Sequence, residues 1–174
     1  APLNEDVDAK GFARLQRIFK RIQAVSHFSH EDWKLVLVPD PSFNAFVTGG
    51  TYIVVHQGLL EKLRSDDEIA AVLGHEIAHV AAGHAFERRA HIKVLGLTGK
   101  KSVTRDGYAE SYTNIDEQEA DRTGILYMSL AGFDPLEAPN VWQRFASQST
   151  NNWSYYRSHP AHSDRACQTA RIAS

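Results

Sequence analysis

The sequence contains a single cysteine, Cys167, and no long apolar run, and each shortage excludes a class of structure. One cysteine cannot form an internal disulfide, so the fold does not depend on a disulfide framework. A membrane-spanning helix needs roughly 18 to 20 apolar residues, whereas the richest stretch, residues 69–82, is interrupted by a glycine, a glutamate and two histidines. We therefore expect no membrane span, and any association with a cell envelope would be peripheral.

The chain also lacks an excess of either charge. Its 19 basic and 21 acidic residues leave a net charge of −2, which gives no electrostatic footprint for nucleic acid, so we expect no DNA or RNA partner. The hydrophobic share of 43% and the charged share of 23% are those of a globular protein. A length of 174 residues predicts one domain over residues 1–174, and nothing in the composition indicates an oligomeric state.

Apolar periodicity predicts an α+β fold that is mostly helical with a small sheet. Residues 8–25 have the three- and four-residue spacing of an amphipathic helix, whose basic outer face we interpret as solvated surface rather than as a lipid contact. Residues 33–38 predict a strand, and residues 43–48 and 51–55 predict a hairpin around the glycine pair at 49–50. We expect this sheet to be largely antiparallel.

Two central helices are predicted after the hairpin. Ser65 caps the first, with Glu68 three residues on as in a capping box, and this helix carries the sequence LGHEIAHVAAGH. The second covers residues 113–130, and its predicted packing positions are Ile115, Ala120, Ile125, Leu126 and Met128. Further helices are expected after Asp134 and over residues 163–172, whereas residues 88–107 predict a loop whose role the sequence does not show.

Two histidines one helical turn apart are the main chemical signal of the sequence. His75 and His79 lie about 40° apart on one helix face, so both imidazoles can reach one metal ion. Glu76 projects from the flank of this pair and can contact a metal-bound water without being a ligand. The H-E-x-x-H pattern by itself marks a true zinc site only about half the time in an arbitrary soluble protein. The small apolar residues around it favour a metal, because burying three ionisable groups without one would be costly.

A longer form of this pattern would supply a third ligand from the same helix. The metzincin pattern, H-E-x-x-H-x-x-G-x-x-H, needs glycine at position 82 and histidine at position 85, and this chain has alanine at both. The metzincin class is therefore excluded. His84 is out of register and on the far side of the helix from His75, so we interpret it as a structural residue.

A catalytic zinc usually has three protein ligands, and the second central helix offers the third. In the sequence NIDEQEADRTG, Glu117 and Asp121 are four residues apart and share one helix face. Glu117 can ligate the metal while Asp121 reaches the free ring N–H of a ligating histidine. Glu119 lies about 200° round the helix from Glu117 and points elsewhere. The alternative is that these acidic residues form a solvated helix start favoured by the helix dipole.

The order HEIAH and then EQEAD resembles the HtpX-like and CAAX-prenyl-protease family of gluzincin zinc metallopeptidases, whose motifs are H-E-x-x-H and a downstream E-x-x-A-D. NAFVTGGTYIVVHQGLL is similar to the family's hairpin, AGFDP to its turn after the glutamate helix, and SHP with a later arginine to its late motif. The resemblance implies a gluzincin-like metallopeptidase domain with the hairpin beside the H-E-x-x-H helix. Because the spanning helices of membrane-embedded members are missing, the soluble bacterial branch of the cell envelope fits better.

The resemblance also implies a role for each motif residue. One Zn²⁺ ion per chain would be held by His75, His79 and Glu117. Glu76 would act as general base and acid, and Asp121 would support a ligand.

The late motif adds a histidine whose role the resemblance leaves open. His159 is expected near the metal, either as an oxyanion stabiliser or in the open zinc position, and the alternative is a loop histidine held by Pro160 and the final helix. Arg165 is expected to anchor the same loop, and Tyr155 or Tyr156 is a further candidate near the oxyanion.

These features predict a zinc-dependent endopeptidase that hydrolyses peptide bonds in extended or misfolded proteins, as part of periplasmic or envelope-associated protein quality control. A substrate backbone is predicted to add as a strand to the hairpin arm formed by Thr51, Tyr52, Ile53, Val54 and Val55. One alternative is a zinc-stabilised binding or chaperone-like module whose metal site is closed by His159, against which the intact Glu76 argues. Another is a metal-free helical protein with coincidental motifs, which the second motif disfavours.

Overall fold

The computed structural model describes residues 2–48, 50–84, 112–147, 159 and 164–174. Within these residues lie six helices and three strands: α1 (Glu5–Val25), β1 (Lys34–Val38), β2 (Ala45–Thr48), β3 (Tyr52–His56), α2 (Gln57–Lys62), α3 (Asp66–Ala81), α4 (Asn114–Leu130), α5 (Glu137–Ser147) and α6 (Arg165–Ala173). The predicted α+β fold, mostly helical with a small sheet, is confirmed. The predicted loop at 88–107 and both Tyr155 and Tyr156 lie outside the described residues. No helix in this described part of the chain has the length and hydropathy that crossing a bilayer requires.

The three strands form a mixed sheet in the order β1-β3-β2. β2 and β3 form the predicted antiparallel hairpin, from Ala45 opposite Val55 to Thr48 opposite Tyr52, and Gly50 adopts a φ of 93° in its turn. β1 instead runs parallel to β3, so the prediction of a largely antiparallel sheet is wrong for this pair. The chain passes from β1 to the far edge and returns as the central strand, and the apolar pattern of a strand carries no information about its partner's direction.

The outer edge of β1 is occupied by the residue that precedes α1. The backbone N–H of Asn4 donates to the carbonyl of Leu37 at 2.9 Å, and the Asn4 side-chain oxygen accepts from the Leu37 N–H at 2.9 Å. Asn4 holds a φ of 55° to make both bonds. The start of α1 is thereby fixed to the sheet.

α1 packs on α3 through the apolar face that the sequence predicts, with Leu15, Ile18 and Ile22 at most 1% exposed. At the rim of this contact Arg14 Nε lies 2.6 Å from Asp66 Oδ1, at the first residue of α3. The carboxylate and the basic side chain therefore bind the outer face of α1 to the start of the central helix.

The two central helices begin with different caps. Ser65 accepts the Glu68 N–H at 3.1 Å as predicted, but the Glu68 carboxylate accepts from the backbone N–H of Arg64, so the predicted capping box is incomplete. A complete box stands at the start of α4, where Thr113 and Asp116 exchange both hydrogen bonds. This cap fixes the first turn of the helix that carries Glu117.

α3 and α4 cross with their backbones in contact at two glycines. A Cβ atom on Gly74 would lie 2.9 Å from the carbonyl oxygen of Gly124, and one on Gly124 would lie 2.8 Å from the backbone nitrogen of His75. Any side chain at the crossing would separate the helices. The two motifs predicted from the sequence therefore meet across this backbone contact.

The buried face of α4 differs from the predicted one. Ala120, Ile125 and Met128 are buried as predicted, whereas Ile115 and Leu126 are 75% and 51% exposed, so those two assignments are wrong. The helix buries a face that includes Glu117, Asp121 and Gly124. Because polar and glycine residues occupy this face for chemistry and close approach, apolar spacing alone does not identify it.

Candidate metal centre

Four buried side chains from three parts of the chain converge. His75 and His79 of α3, Glu117 of α4 and His159 each offer one ligand atom, and these atoms all lie within 4.8 Å of one another. His75 Nε2 lies 2.9 Å from His79 Nε2, and Glu117 Oε1 lies 3.1 Å from His79 Nε2. Two ligands of a tetrahedral zinc ion are about 3.3 Å apart when each is about 2.0 Å from the metal. The spacing therefore fits one small cation.

The chemistry of the donor set also fits a cation. Within the described part of the chain, neither oxygen of the Glu117 carboxylate accepts a hydrogen bond of ordinary geometry, although the residue is 2% exposed. The Arg165 guanidinium, with Nη1 at 2.8 Å, and the His79 imidazole, with Nε2 at 3.1 Å, approach these oxygens without the angles of a hydrogen bond. A buried carboxylate is costly unless charge and directed contacts compensate it, and a metal ion supplies both.

Asp121 and Arg165 support His75 from behind. Asp121 Oδ1 lies 2.9 Å from His75 Nδ1, where the sequence predicts it. Arg165 Nε and Nη2 donate to the two Asp121 oxygens, each at 2.7 Å, so a guanidinium fork fixes the carboxylate. Arg165, predicted as a loop anchor, therefore contacts the residues of the candidate metal site itself. Its guanidinium carbon lies 3.9 Å from the ring centroid of Trp142, a neighbour that no sequence signal indicates.

Glu76 and His159 are brought together on the same side of the cluster. Glu76 is fully buried, and its Oε1 lies 3.4 Å from His159 Nε2. The His159 ring centroid lies 5.3 Å from that of His75 and 5.1 Å from that of His79. His159 is thus placed among the candidate ligands, as the resemblance implies, and both of the roles considered for it are geometrically open.

His84 lies against His79, and the prediction that it sits on the far side of the helix is wrong. His84 is 4% exposed and its Nδ1 lies 2.9 Å from His79 Nδ1. α3 ends at Ala81, and Gly83 with a φ of 74° turns the chain back toward the helix. The rotation of about 100° per residue that places side chains on a helix does not apply beyond its last turn.

Tyr112 covers the other side of His79. Its ring stacks on the His79 imidazole with a centroid distance of 3.8 Å and an interplanar angle of 13°, and the residue is 5% exposed. Its position directly before the Thr113 cap is the one sequence feature that connects it to the site. The stacking restricts rotation of the His79 ring.

Charge in the cluster is distributed unevenly between the two helix histidines. Burial and the Arg165 charge lower the pKa of His75, but Glu117 and Asp121 outweigh them and raise it to about 9. Burial and the neighbouring His75 lower the pKa of His79 to about 3. Burial raises the pKa of Glu117, but His159, Arg165 and His75 together hold it well below its usual range. Without a bound ion, His75 is therefore an imidazolium near neutral pH, and Glu117 is a carboxylate.

The strand predicted to bind substrate cannot accept another strand. The predicted segment leads into and forms β3, and consists of Thr51, Tyr52, Ile53, Val54 and Val55. Because β3 is paired with β1 on one side and β2 on the other, that prediction is wrong.

Among the described strands, β2 lies at the edge of the sheet and packs against α3. Because the His56 N–H donates to the Asn44 carbonyl at 3.0 Å, alternation along an antiparallel pair directs the Ala45 and Val47 backbone groups away from β3.

Two imidazoles and one carboxylate on two crossed helices, with a further glutamate beside the first histidine, define a metallopeptidase type of site. Residues 9–172 match peptidase family M48, and the chain belongs to this family. The predicted resemblance to HtpX-like metallopeptidases is confirmed at this level.

Individual members of the family show the extent of the similarity. The chain is 36% identical over 143 residues to the mitochondrial metalloendopeptidase OMA1 of Schizosaccharomyces pombe, covering 75% of this chain and 42% of that protein. It is 31% identical over 153 residues to the β-barrel assembly-enhancing protease of Yersinia pestis, covering 74% of this chain and 31% of that protein. The chain thus spans less than half the length of either relative.

Proposed function

We propose that the domain is a zinc-dependent endopeptidase that hydrolyses peptide bonds in extended or misfolded polypeptides. The observation that carries the proposal is the convergence of His75, His79 and Glu117 within 4.8 Å, together with the buried Glu76 beside them. Membership of peptidase family M48 supports the same reaction class.

The residues that would hold the ion are His75, His79 and Glu117, in line with the donor set of peptidase zinc sites. When bound, zinc supplies the Lewis acidity that makes a water nucleophilic near neutral pH and polarises the scissile carbonyl. The protein's own side chains orient the ligands. Asp121 fixes the His75 ring through Nδ1, and Arg165 fixes Asp121.

Glu76 would perform the proton transfers. Its carboxylate takes a proton from the attacking water as the water oxygen bonds to the carbonyl carbon, and then gives that proton to the departing amine as the C–N bond breaks. General acid and base catalysis of this kind contributes roughly 10²–10⁴-fold to a rate. His159, whose Nε2 lies 3.4 Å from Glu76 Oε1, would donate a hydrogen bond to the oxyanion that forms between these two steps.

Substrate would bind as a fourth strand along β2. The outward backbone groups of Ala45 and Val47 would pair with an extended polypeptide beside α3, which carries Glu76. Backbone pairing of this kind implies loose sequence preference.

A second candidate function follows from His159. Because its ligand atom lies within the same 4.8 Å set, His159 can complete four protein ligands, and a closed site of that kind is structural rather than catalytic. The domain would then be a zinc-stabilised binding or chaperone-like module. A structural site does not need Glu76, and for that reason we favour the peptidase.

The proposed location is the bacterial periplasm or cell envelope. The relatives similar to this chain include β-barrel assembly-enhancing proteases of bacteria and mitochondrial metalloendopeptidases of fungi and plants. Protein quality control in the envelope is the setting that suits a protease for misfolded chains, and we extend it to this domain as part of the proposal.

The test is zinc-dependent cleavage of casein by the wild type and by Glu76→Gln, with zinc content measured in both. We expect the variant to keep its zinc and to lose at least about 100-fold in rate. If neither protein cuts while both hold zinc, His159→Ala distinguishes the alternatives: appearance of cleavage indicates a site closed by His159, and its continued absence overturns the peptidase.

A further inference from the structure

The contact between His79 and His84 joins two buried imidazoles through the same kind of ring atom. Their Nδ1 atoms are 2.9 Å apart, and the geometry is that of a hydrogen bond. His79 is fully buried and His84 is 4% exposed, so the pair is shielded from water. In a hydrogen bond between two neutral imidazoles, one Nδ1 carries the hydrogen and the other accepts it.

The surroundings of His84 determine which ring accepts. Its Nε2 lies 3.7 Å from Asp116 Oδ1 and 3.5 Å from Glu119 Oε2. Two carboxylates beside Nε2 favour the tautomer with its proton there, which leaves the His84 Nδ1 lone pair free to accept. His79 then carries its proton on Nδ1 and has its lone pair on Nε2.

That lone pair points toward the other candidate metal ligands. His79 Nε2 lies 2.9 Å from His75 Nε2 and 3.1 Å from Glu117 Oε1. We propose that His84 is a positioning residue for the metal centre: it accepts the Nδ1–H of His79 and thereby presents His79 Nε2 to the ion. This inference rests on the proposed function only in requiring that His79 is a ligand.

An imidazole acceptor is consistent with the charge of the site. Glu76, Glu117 and Asp121 are buried carboxylates, and Arg165 is the buried cation that contacts Glu117 and Asp121. A divalent ion and one guanidinium balance three carboxylates, so a fourth carboxylate behind His79 would leave a buried excess of negative charge. An imidazole fixes the ligand without adding charge.

The experiment compares His84→Ala with His84→Asn in the full chain and measures zinc affinity by competition with a chelator. The Asn Oδ1 can occupy the place of Nδ1 as an acceptor, whereas alanine cannot. Loss of an outer hydrogen-bond partner weakens metal binding by about 10–100-fold, which is the result expected for His84→Ala. His84→Asn is expected to stay within about threefold of the wild type, as is the control His30→Ala, which removes an exposed histidine.

A second measurement separates positioning from packing. In the cobalt-substituted protein, the His79 Nδ1–H is expected as a shifted, slowly exchanging proton resonance in the wild type and His84→Asn, and as a fast-exchanging one in His84→Ala. The proposal is overturned if His84→Ala binds zinc as tightly as the wild type, or if slow exchange persists without His84. Should His84→Ala fail to fold, a tenfold loss of affinity in folded His84→Asn overturns it equally. If the wild type itself does not bind zinc tightly, the proposed function is refuted as well. If the wild type binds zinc tightly and only the His84 results are contrary, the role of His84 alone is refuted.

Discussion

Gly74 and Gly124 bring the helices that carry His75 and Glu117 into backbone contact, since a Cβ atom on Gly124 would lie 2.8 Å from the nitrogen of His75. The separation of His75 from Glu117 is therefore set by the absence of two side chains. The distance between the candidate ligands on the two helices depends on this crossing as much as on the side chains themselves.

Gly124→Ala is expected to destabilise the domain and to weaken metal binding together. Alanine favours a helix by about 1 kcal/mol over glycine, but overpacking of a close contact costs about 1–3 kcal/mol, so the clash equals or exceeds the gain. Urea denaturation and zinc competition would measure both effects. Ser129→Ala, at an exposed position of α4, is the control and should change neither. A Gly124→Ala protein with unchanged zinc affinity would show that the crossing does not set the ligand separation.

Zinc binding is expected to release about one proton per ion below pH 9. In the ion-free site the pKa of His75 is about 9 and that of His79 is about 3, so His75 alone must lose a proton before it can ligate. Affinity should consequently rise about tenfold per pH unit and level off near pH 9. Calorimetry at pH 7.5 in buffers of different ionisation enthalpy gives the proton count. Asp121→Asn should lower the count because one of the carboxylates that raises the His75 pKa is gone; release of no proton by the wild type would contradict the prediction.

Arg165→Met is expected to destabilise the ion-free domain by about 3–5 kcal/mol, because it leaves the buried Asp121 and Glu117 carboxylates without their guanidinium. The matched control is Arg17→Met. Arg17 pairs with Asp66 at 3.3 Å with its side chain 62% exposed, and such surface pairs contribute about 0–1 kcal/mol. If urea denaturation gives equal losses of unfolding free energy in the two variants, the buried contacts of Arg165 stabilise the domain no more than a surface ion pair does.

Val47→Pro is expected to reduce kcat/KM for unfolded casein up to about tenfold while the sheet persists. Proline removes the Val47 N–H, which points away from β3, and one hydrogen bond contributes about 0.5–1.5 kcal/mol. Val47→Ala shortens the same side chain and keeps the N–H, so it is the control for packing. Similar kcat/KM values for the two variants at equal thermal stability would exclude pairing of substrate with this strand.

Helical periodicity accounts for the part of the site that could be predicted. His75 with His79, and Glu117 with Asp121, are spaced four residues apart on regular helices, so sequence spacing fixes which side chains share a face. His84 lies beyond the end of α3, where the turn at Gly83 determines its direction. Spacing therefore gave the wrong side for it.

Contacts between distant segments account for what could not be predicted. Arg165 reaches Asp121 across 44 positions, and Tyr112 stacks on His79 from beyond a long intervening segment. The hairpin was predictable from its local turn, whereas the parallel pairing of β1 with β3 depends on how the whole chain folds back. Local patterns specify helices and turns, and tertiary packing alone specifies these pairs.

The Asn4 contact described above makes the small sheet asymmetric in a way that bears on solubility. By bonding both the N–H and the carbonyl of Leu37, Asn4 caps the β1 side at that residue, so a second extended chain meets an occupied edge there. Unprotected strand edges are where sheets of separate molecules join into aggregates. A domain proposed to handle misfolded chains would thus have the β2 edge beside the helix that carries Glu76, while Asn4 blocks strand addition at Leu37 on the opposite edge.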